Sequence, residues 1–313
     1  MKKLISLLLV LMLAGTAFAE LTFTTGGAAG TYYAFGGVLA KYVSENTDLD
    51  ITAVTSGGSQ DNIERLDMGM ADLAFSQSDV AYCIYNGIRY EDYLDDPITG
   101  FSALAALYDE TVQLITTDPE IKSMADLKGK SVSIGDMGSG VYYNALDYLA
   151  AYDMTVEDIK PQYLSFADSA DSLKDGKIVA AFVVAGAPTP AVVDLCATKE
   201  VYLVNVDDEH IAKLSEINGA YTKCIIPAGT YSGIDTDTVT VSVKAIVLAG
   251  ENITDDEAYA IVSTIFENKE AISQAHAKGE ALDLEYAAVC GLPYHKGAAK
   301  YFAEKGITVE VAE

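Results

Sequence analysis

From residue 21 onward, short apolar runs alternate with amphipathic ones. Residues 21–25 are a strand candidate, followed by a glycine-rich turn and a helical pattern over 33–46. Residues 50–55 form the next strand candidate, with a Gly/Ser turn and a helix near 61–69 behind it. Residues 72–76 form a third, with a helix near 80–87. Runs 131–135 and 179–184 repeat the pattern, each with a small-residue turn and a helix behind. Strands alternating with helices imply parallel sheets, so the expected class is α/β.

Two longer stretches break the rhythm. Residues 103–117 and 239–249 are rich in Val, Ile, Leu and Ala, with no helix-length segment inside either. They are expected to run as antiparallel connectors between two lobes. The first lobe would comprise 20–109 plus 244–313, and the second 110–243. The alternative is one large doubly wound domain.

Five of the strand-to-helix turns share a chemistry: 25–31, 55–59, 76–78, 135–140 and 185–189. Each is built from Gly, Ser, Thr or other small residues just before a helix. Glycine admits close approach of a ligand to the backbone, and Ser and Thr cap helices. A helix N-terminus attracts anions without a cationic side chain, and ligands of open α/β sheets bind at the carboxyl ends of the strands. For any single turn, ordinary capping is the competing explanation; five together point to a ligand.

Charge narrows the partners. The chain has 46 acids against 20 bases, a net charge of −26, and no Lys/Arg cluster. A phosphate-backbone binder needs a basic footprint, so nucleic acid is excluded as a partner, and docking on anionic lipid is disfavoured. Among the bases only Arg65 and Arg89 are arginines, and neither falls in a turn. Both are therefore expected to be dispensable for binding, with uncharged turn donors holding an anion. His210, His276 and His295 lack metal-ligand spacing, no nucleophile–base pair emerges, and no metal or cofactor is expected. The reading is a binding protein; an exported enzyme using a cleft for catalysis is the alternative from another class.

The N-terminus reads as an export signal. Lys2 and Lys3 precede an apolar run over 4–13, and Ala17-Phe18-Ala19 fits small-x-small cleavage before Glu20. The mature protein is expected to be a soluble monomer of the periplasm. Cys83, Cys196, Cys224 and Cys290 would then meet an oxidising space, where free thiols and three connectivities are open. A bond between lobes would tether a hinge, which favours Cys83–Cys290 and Cys196–Cys224 over the other two pairings.

Several motifs together resemble a known family. They are TTGGAAGTYYAFGGVLA (24–40), TSGGSQDNIERLDMGMADLAFSQSDVAY (55–82), DLKGKSVSIGDMGSG (126–140), IPAGTYSG (226–233) and LPYHKGAAKYFAEKG (292–306). Their order and spacing resemble the TAXI-type substrate-binding proteins of tripartite ATP-independent periplasmic (TRAP) transporters. The resemblance implies a two-lobed, type II-like periplasmic binding fold, with two mixed sheets flanked by helices and joined by a β-strand hinge. It implies delivery of an organic anion, glutamate-like amino acid or dicarboxylate, to TRAP membrane subunits; another transporter or a sensor is the alternative recipient. The ligand-facing positions it implies are Gly27, Thr31 and Tyr32, then Ser56, Gly58 and Ser59, then Gln77. Ser139 and Gly140 follow at the second-lobe helix start, with Ala187, Pro188 and Thr189 in the turn after 182–185. Val141 stands where Thr is common and removes a hydroxyl from that turn.

Overall fold

The computed structural model describes residues 20–312, so the expected signal over 1–19 lies outside the described residues. The chain opens with strand β1 (Glu20–Thr24), helix α1 (Thr31–Asn46), β2 (Asp50–Val54), α2 (Ser59–Asp67), β3 (Leu73–Gln77) and α3 (Ser78–Tyr85). It continues through β4 (Phe101–Thr116), β5 (Ser131–Ser133), α4 (Gly140–Ala151), β6 (Lys160–Gln162), α5 (Phe166–Lys174), β7 (Ala180–Ala185) and α6 (Pro190–Cys196). Then come β8 (Tyr202–Leu203), α7 (Asp208–Ile217), β9 (Thr222–Ile226) and β10 (Thr238–Gly250). Four helices close it: α8 (Asp255–Glu267), α9 (Lys269–Ala275), α10 (Leu284–Ala287) and α11 (Lys296–Glu304). Among the described residues no helix is long and apolar enough to cross a membrane.

Local sequence explains the elements. In α1, Tyr32, Phe35, Leu39 and Val43 recur at helical spacing and form its buried stripe. Every residue of β3 is buried, as a parallel strand covered on both faces requires. In β4 all residues are buried except Asp109. Three helices start earlier than the apolar periodicity indicates, because Thr31, Ser59 and Ser78 already belong to their first turns.

The α/β class holds, but the expected two sheets are one ten-stranded ladder. Its main order is β2-β1-β3-β10-β4-β7-β5-β6, with β8 on β4 and β9 on β10. The reason is strand length. β10 pairs with β3 through 245–249 and with β9 through 238–242, while β4 pairs with β10 at one end and β7 at the other. Strands of 16 and 13 residues reach both halves, so the hydrogen bonding never breaks. Register shifts at Ala245/Ile246 and Val247/Leu248 mark the crossing of β4 and β10.

The apolar cores divide along these two strands. The first draws on 21–108 and 245–302, and the second and third on 112–243. These two sets are the first side and the second side of the molecule.

The cysteines overturn an expectation. All four are free thiols. Cys83 is buried in α3, and Cys290 Sγ donates instead to the Leu292 carbonyl. Cys196 packs against the third core, whereas Cys224 sits in β9 opposite Thr240. Sharing a lobe is a coarser condition than the Cα separation of about 4.4–6.8 Å that a disulfide demands.

Candidate functional site

A cleft with about 510 Å³ of empty space lies between the two sides. The first side lines it with Gly27, Tyr32, Ser56, Gly57, Gly58, Ser59 and Gln77. The second contributes Asp136, Ser139, Gly140, Val141, Leu164, Ser165, Phe166 and Val184, with Glu110 at the crossing strand. Helices α2, α4 and α5 all begin at this wall, so three positive helix ends converge on it.

The first-side wall is built by Asn62. Its amide donates to the carbonyls of Thr25 and Phe75, 2.7 Å each, and its oxygen accepts from Thr24 Oγ1. One side chain thus fixes α2 against the ends of β1 and β3. Gly58 precedes α2 at φ +114°, a conformation a side chain would strain. Ser59 Oγ accepts from the Gln77 backbone N–H at 3.0 Å. On the second side, Ser139 Oγ caps α4 by accepting from Tyr142 N–H, and it donates to the Asp136 carbonyl at 2.6 Å.

Eight of the residues expected to face ligand line this cleft: Gly27, Tyr32, Ser56, Gly58, Ser59, Gln77, Ser139 and Gly140. The other four do not, and two of them, Thr31 and Ala187, join the sides to one another instead. Thr31 Oγ1 donates to the Gly186 carbonyl at 2.9 Å, and Lys278 Nζ donates to the Ala187 carbonyl at 2.7 Å. Pro188 follows a cis peptide, and Thr189 is fully buried, its hydroxyl accepting from Gln113 at 2.9 Å.

Further contacts close the seam beside the cleft. Gln77 Nε2 donates to Asn144 Oδ1, and Asn144 Nδ2 donates to Asp79 Oδ2 and the Tyr221 hydroxyl, 2.8 Å each. Tyr221 donates on to Asp147 at 3.0 Å. Tyr143 donates to Gln60, and its ring stacks on Tyr90 with centroids 3.7 Å apart. Arg89 pairs with Asp147 and donates to the Ile217 carbonyl. It lies outside every turn, as expected, and is part of the seam. Arg65 pairs with Asp61 within α2.

Glu110 escaped sequence reasoning, although a signal was there. Within the apolar stretch 103–117 the pair Asp109-Glu110 stands alone, and strand alternation turns one acid out and the other in. Asp109 is exposed and Glu110 is 2% exposed. Burial pushes the Glu110 carboxyl up to about 8, against the pull of Tyr108 and the Lys278 ammonium. Ser165 and Phe166 were also legible, as the start of an S-x-x-D cap before α5.

Glu110 gives a pH prediction. Its carboxyl ionises near 4.5 when unfolded and near 8 when folded, so between these values the folded chain holds the extra proton. This contribution to stability is full below about pH 4.5 and is lost as pH rises to about 8. The melting temperature of Glu110→Gln relative to the parent is expected to increase steadily from pH 5 to pH 8. A constant difference across that range would refute the buried carboxyl.

A larger groove, about 1390 Å³, lies elsewhere along β4 and β10, lined by residues including Asp109, Lys244 and Tyr286. None of the five turns that share ligand chemistry supplies it except through Ser78. Chemistry therefore favours the smaller cleft. Among the described residues, no cluster of His, Cys, Asp and Glu could hold a metal ion.

Solved structures share this architecture. The alkanesulfonate-binding protein SsuA from Xanthomonas axonopodis pv. citri, bound to MOPS, matches at 15% identity and TM-score 0.51, over 92% of this chain and 91% of that one. A protein from Bordetella bronchiseptica RB50 matches at 18% identity and TM-score 0.57, over 92% and 81%. A binding protein component of an ABC phosphonate transporter from Pseudomonas aeruginosa matches at 12% identity and TM-score 0.52, over 84% and 79%. At such identities the likeness is one of fold. The sequence itself matches the NMT1-like family over residues 23–306, and the chain belongs to that family.

Proposed function

We propose that this protein is an exported solute-binding protein of the periplasm. It captures a small organic anion, a glutamate-like amino acid or a dicarboxylate, between two lobes and delivers it to the membrane subunits of a TRAP transporter. The lobes are 20–109 plus 244–313 and 110–243, and the present arrangement is their closed form. One observation carries the reading. Tyr32 Oη, Gln77 Oε1 and Glu110 Oε1 are buried without hydrogen-bond partners, and all three residues line the cleft. Buried polar groups are nearly always paired, and a ligand in the cleft would supply these three with partners. The TRAP assignment rests on the sequence motifs of the TAXI type. Delivery to an ABC-type permease is the second reading, favoured by the fold shared with the alkanesulfonate-binding and phosphonate-transporter proteins. Uptake into vesicles carrying the permease separates them, since only the ABC route requires ATP.

The anion is held by uncharged donors at the starts of α2 and α4, because no Lys or Arg is among the lining residues. A hydrogen bond to a charged group contributes about 1.5–3 kcal/mol, or roughly 10- to 150-fold in affinity. Ser139→Ala and Gln77→Ala are expected to weaken binding by that factor in calorimetry, and Arg65→Gln to leave it within about threefold. A panel of glutamate, glutamine, 2-oxoglutarate, succinate and aromatic acids should yield at least one binder after refolding to strip bound ligand. A flat panel would sink the ligand class.

A further inference from the structure

Two of the three unpartnered atoms of the cleft are an amide and a carboxyl oxygen, and the third is a phenol oxygen. The Gln77 amide is oriented by a chain of neighbours that starts at a carboxylate. Asp79 accepts from Asn144 Nδ2, so Asn144 Oδ1 faces Gln77 and receives its Nε2. Gln77 Oε1 is thereby turned away as a lone acceptor. It packs so close to Gly140 that a Cβ there would lie 1.5 Å from it. Glu110 Oε1 is a second orphan, and Tyr32 Oη a third that can also accept. The Tyr108 hydroxyl and the Gly186 N–H lie against the Glu110 carboxyl, but no donor of the chain satisfies Glu110 Oε1 or Gln77 Oε1. An ammonium supplies three N–H donors and a compensating charge.

We propose that Glu110 is a specificity-determining residue that pairs with an ammonium group of the ligand, so that the cleft selects amino acids over carboxylates lacking the amine. The inference rests on the binding-protein reading above and narrows its ligand. The groups facing Glu110 are Tyr108 on its own strand, Tyr32 from α1, Asp79 from α3, Lys278 from the 277–281 turn and Tyr286 from α10. The Gly186 backbone N–H lies against it as well. Lys278 is the one cation of that set, and its Nζ already serves the Ala187 carbonyl. In this closed arrangement burial therefore favours Glu110 as the neutral acid until a cation enters. An arriving ammonium displaces its proton: the carboxyl becomes a carboxylate paired with the ligand's nitrogen, and the proton leaves to water.

Calorimetry at pH 7, in two buffers of different ionisation enthalpy, tests this. The probes are glutamate and glutamine, their deaminated counterparts glutarate and glutaramate, and 2-oxoglutarate. At least one amine probe is expected to bind 10-fold or more tighter than its counterpart, as a charged hydrogen bond implies, and to release close to one proton. Glu110→Gln keeps the side-chain volume and should abolish both the preference and the proton release. Glu110→Asp retains the carboxyl, should keep the preference at lower affinity, and serves if the glutamine variant misfolds. Glutarate or 2-oxoglutarate binding as tightly as glutamate would overturn this inference and leave the binding-protein reading standing. So would amine binding without proton release that Glu110→Gln does not change. Silence from every probe would overturn both readings together.

Discussion

Asn144→Ala is expected to weaken ligand binding by 100-fold or more, the largest loss from any single substitution outside the cleft lining. Asn144 is fully buried and joins Gln77 and Asp79 across the seam to Tyr221 on its own side. Burial already raises Asp79 to about 6, with Asn144 pulling the other way, and Asp79 Oδ1 has no partner. Removing the amide strands this carboxyl and frees the Gln77 side chain. Each stranded buried group costs about 1–3 kcal/mol, and more when charged. In an open form water would solvate both groups, so the loss falls on closure rather than on folding. Calorimetry should show the affinity drop while the melting temperature of the unliganded protein changes little. Lowering the pH below about 6 protonates Asp79 and should recover part of the loss. An affinity within threefold of the parent would dismiss the network as a determinant of closure.

Arg89→Gln is expected to weaken binding by about 100-fold without its side chain touching the ligand. Arg89 holds φ +67°, a backbone placement that aims it over the seam at Asp147 and the Ile217 carbonyl. Asp147 is 6% exposed, and burial raises its carboxyl against the opposing pull of Arg89. Removing one partner of a buried ion pair costs about 3–5 kcal/mol. The partial exposure of Arg89 places the effect at the low end. Arg89→Lys should restore little, because an ammonium cannot reach two acceptors in a fixed fork. Asp147→Asn combined with Arg89→Gln should bind better than Arg89→Gln alone, since no charge is then stranded. Equal affinities of the single and double variants would refute the pairing.

Much of this architecture is legible in the chain. Alternating apolar and amphipathic runs give the α/β class, and the small-residue turns give most of the cleft floor. What escapes has one physical cause: it depends on which distant residues meet. Arg89 lies outside every turn, yet folding carries it onto α4. Ala187 and Thr189 have ligand-like chemistry, but Ala187 accepts from Lys278 of the first side and Thr189 bonds Gln113 and Tyr231 within the second. The unbroken ladder depends on how far β4 and β10 extend, and the cysteines on distances that lobe membership does not set. Glu110 is readable from alternation within an apolar strand, although it lies in none of the five turns.

The chain has 20 tyrosines and no tryptophan, and Tyr90 and Tyr143 stack face to face across the seam. Two phenol rings at van der Waals distance couple their electronic transitions, and the coupling weakens steeply as the rings separate. Any parting of the two sides would uncouple this one pair. The protein thus carries an intrinsic chromophore for its own closure, visible in near-ultraviolet circular dichroism against a background free of indole.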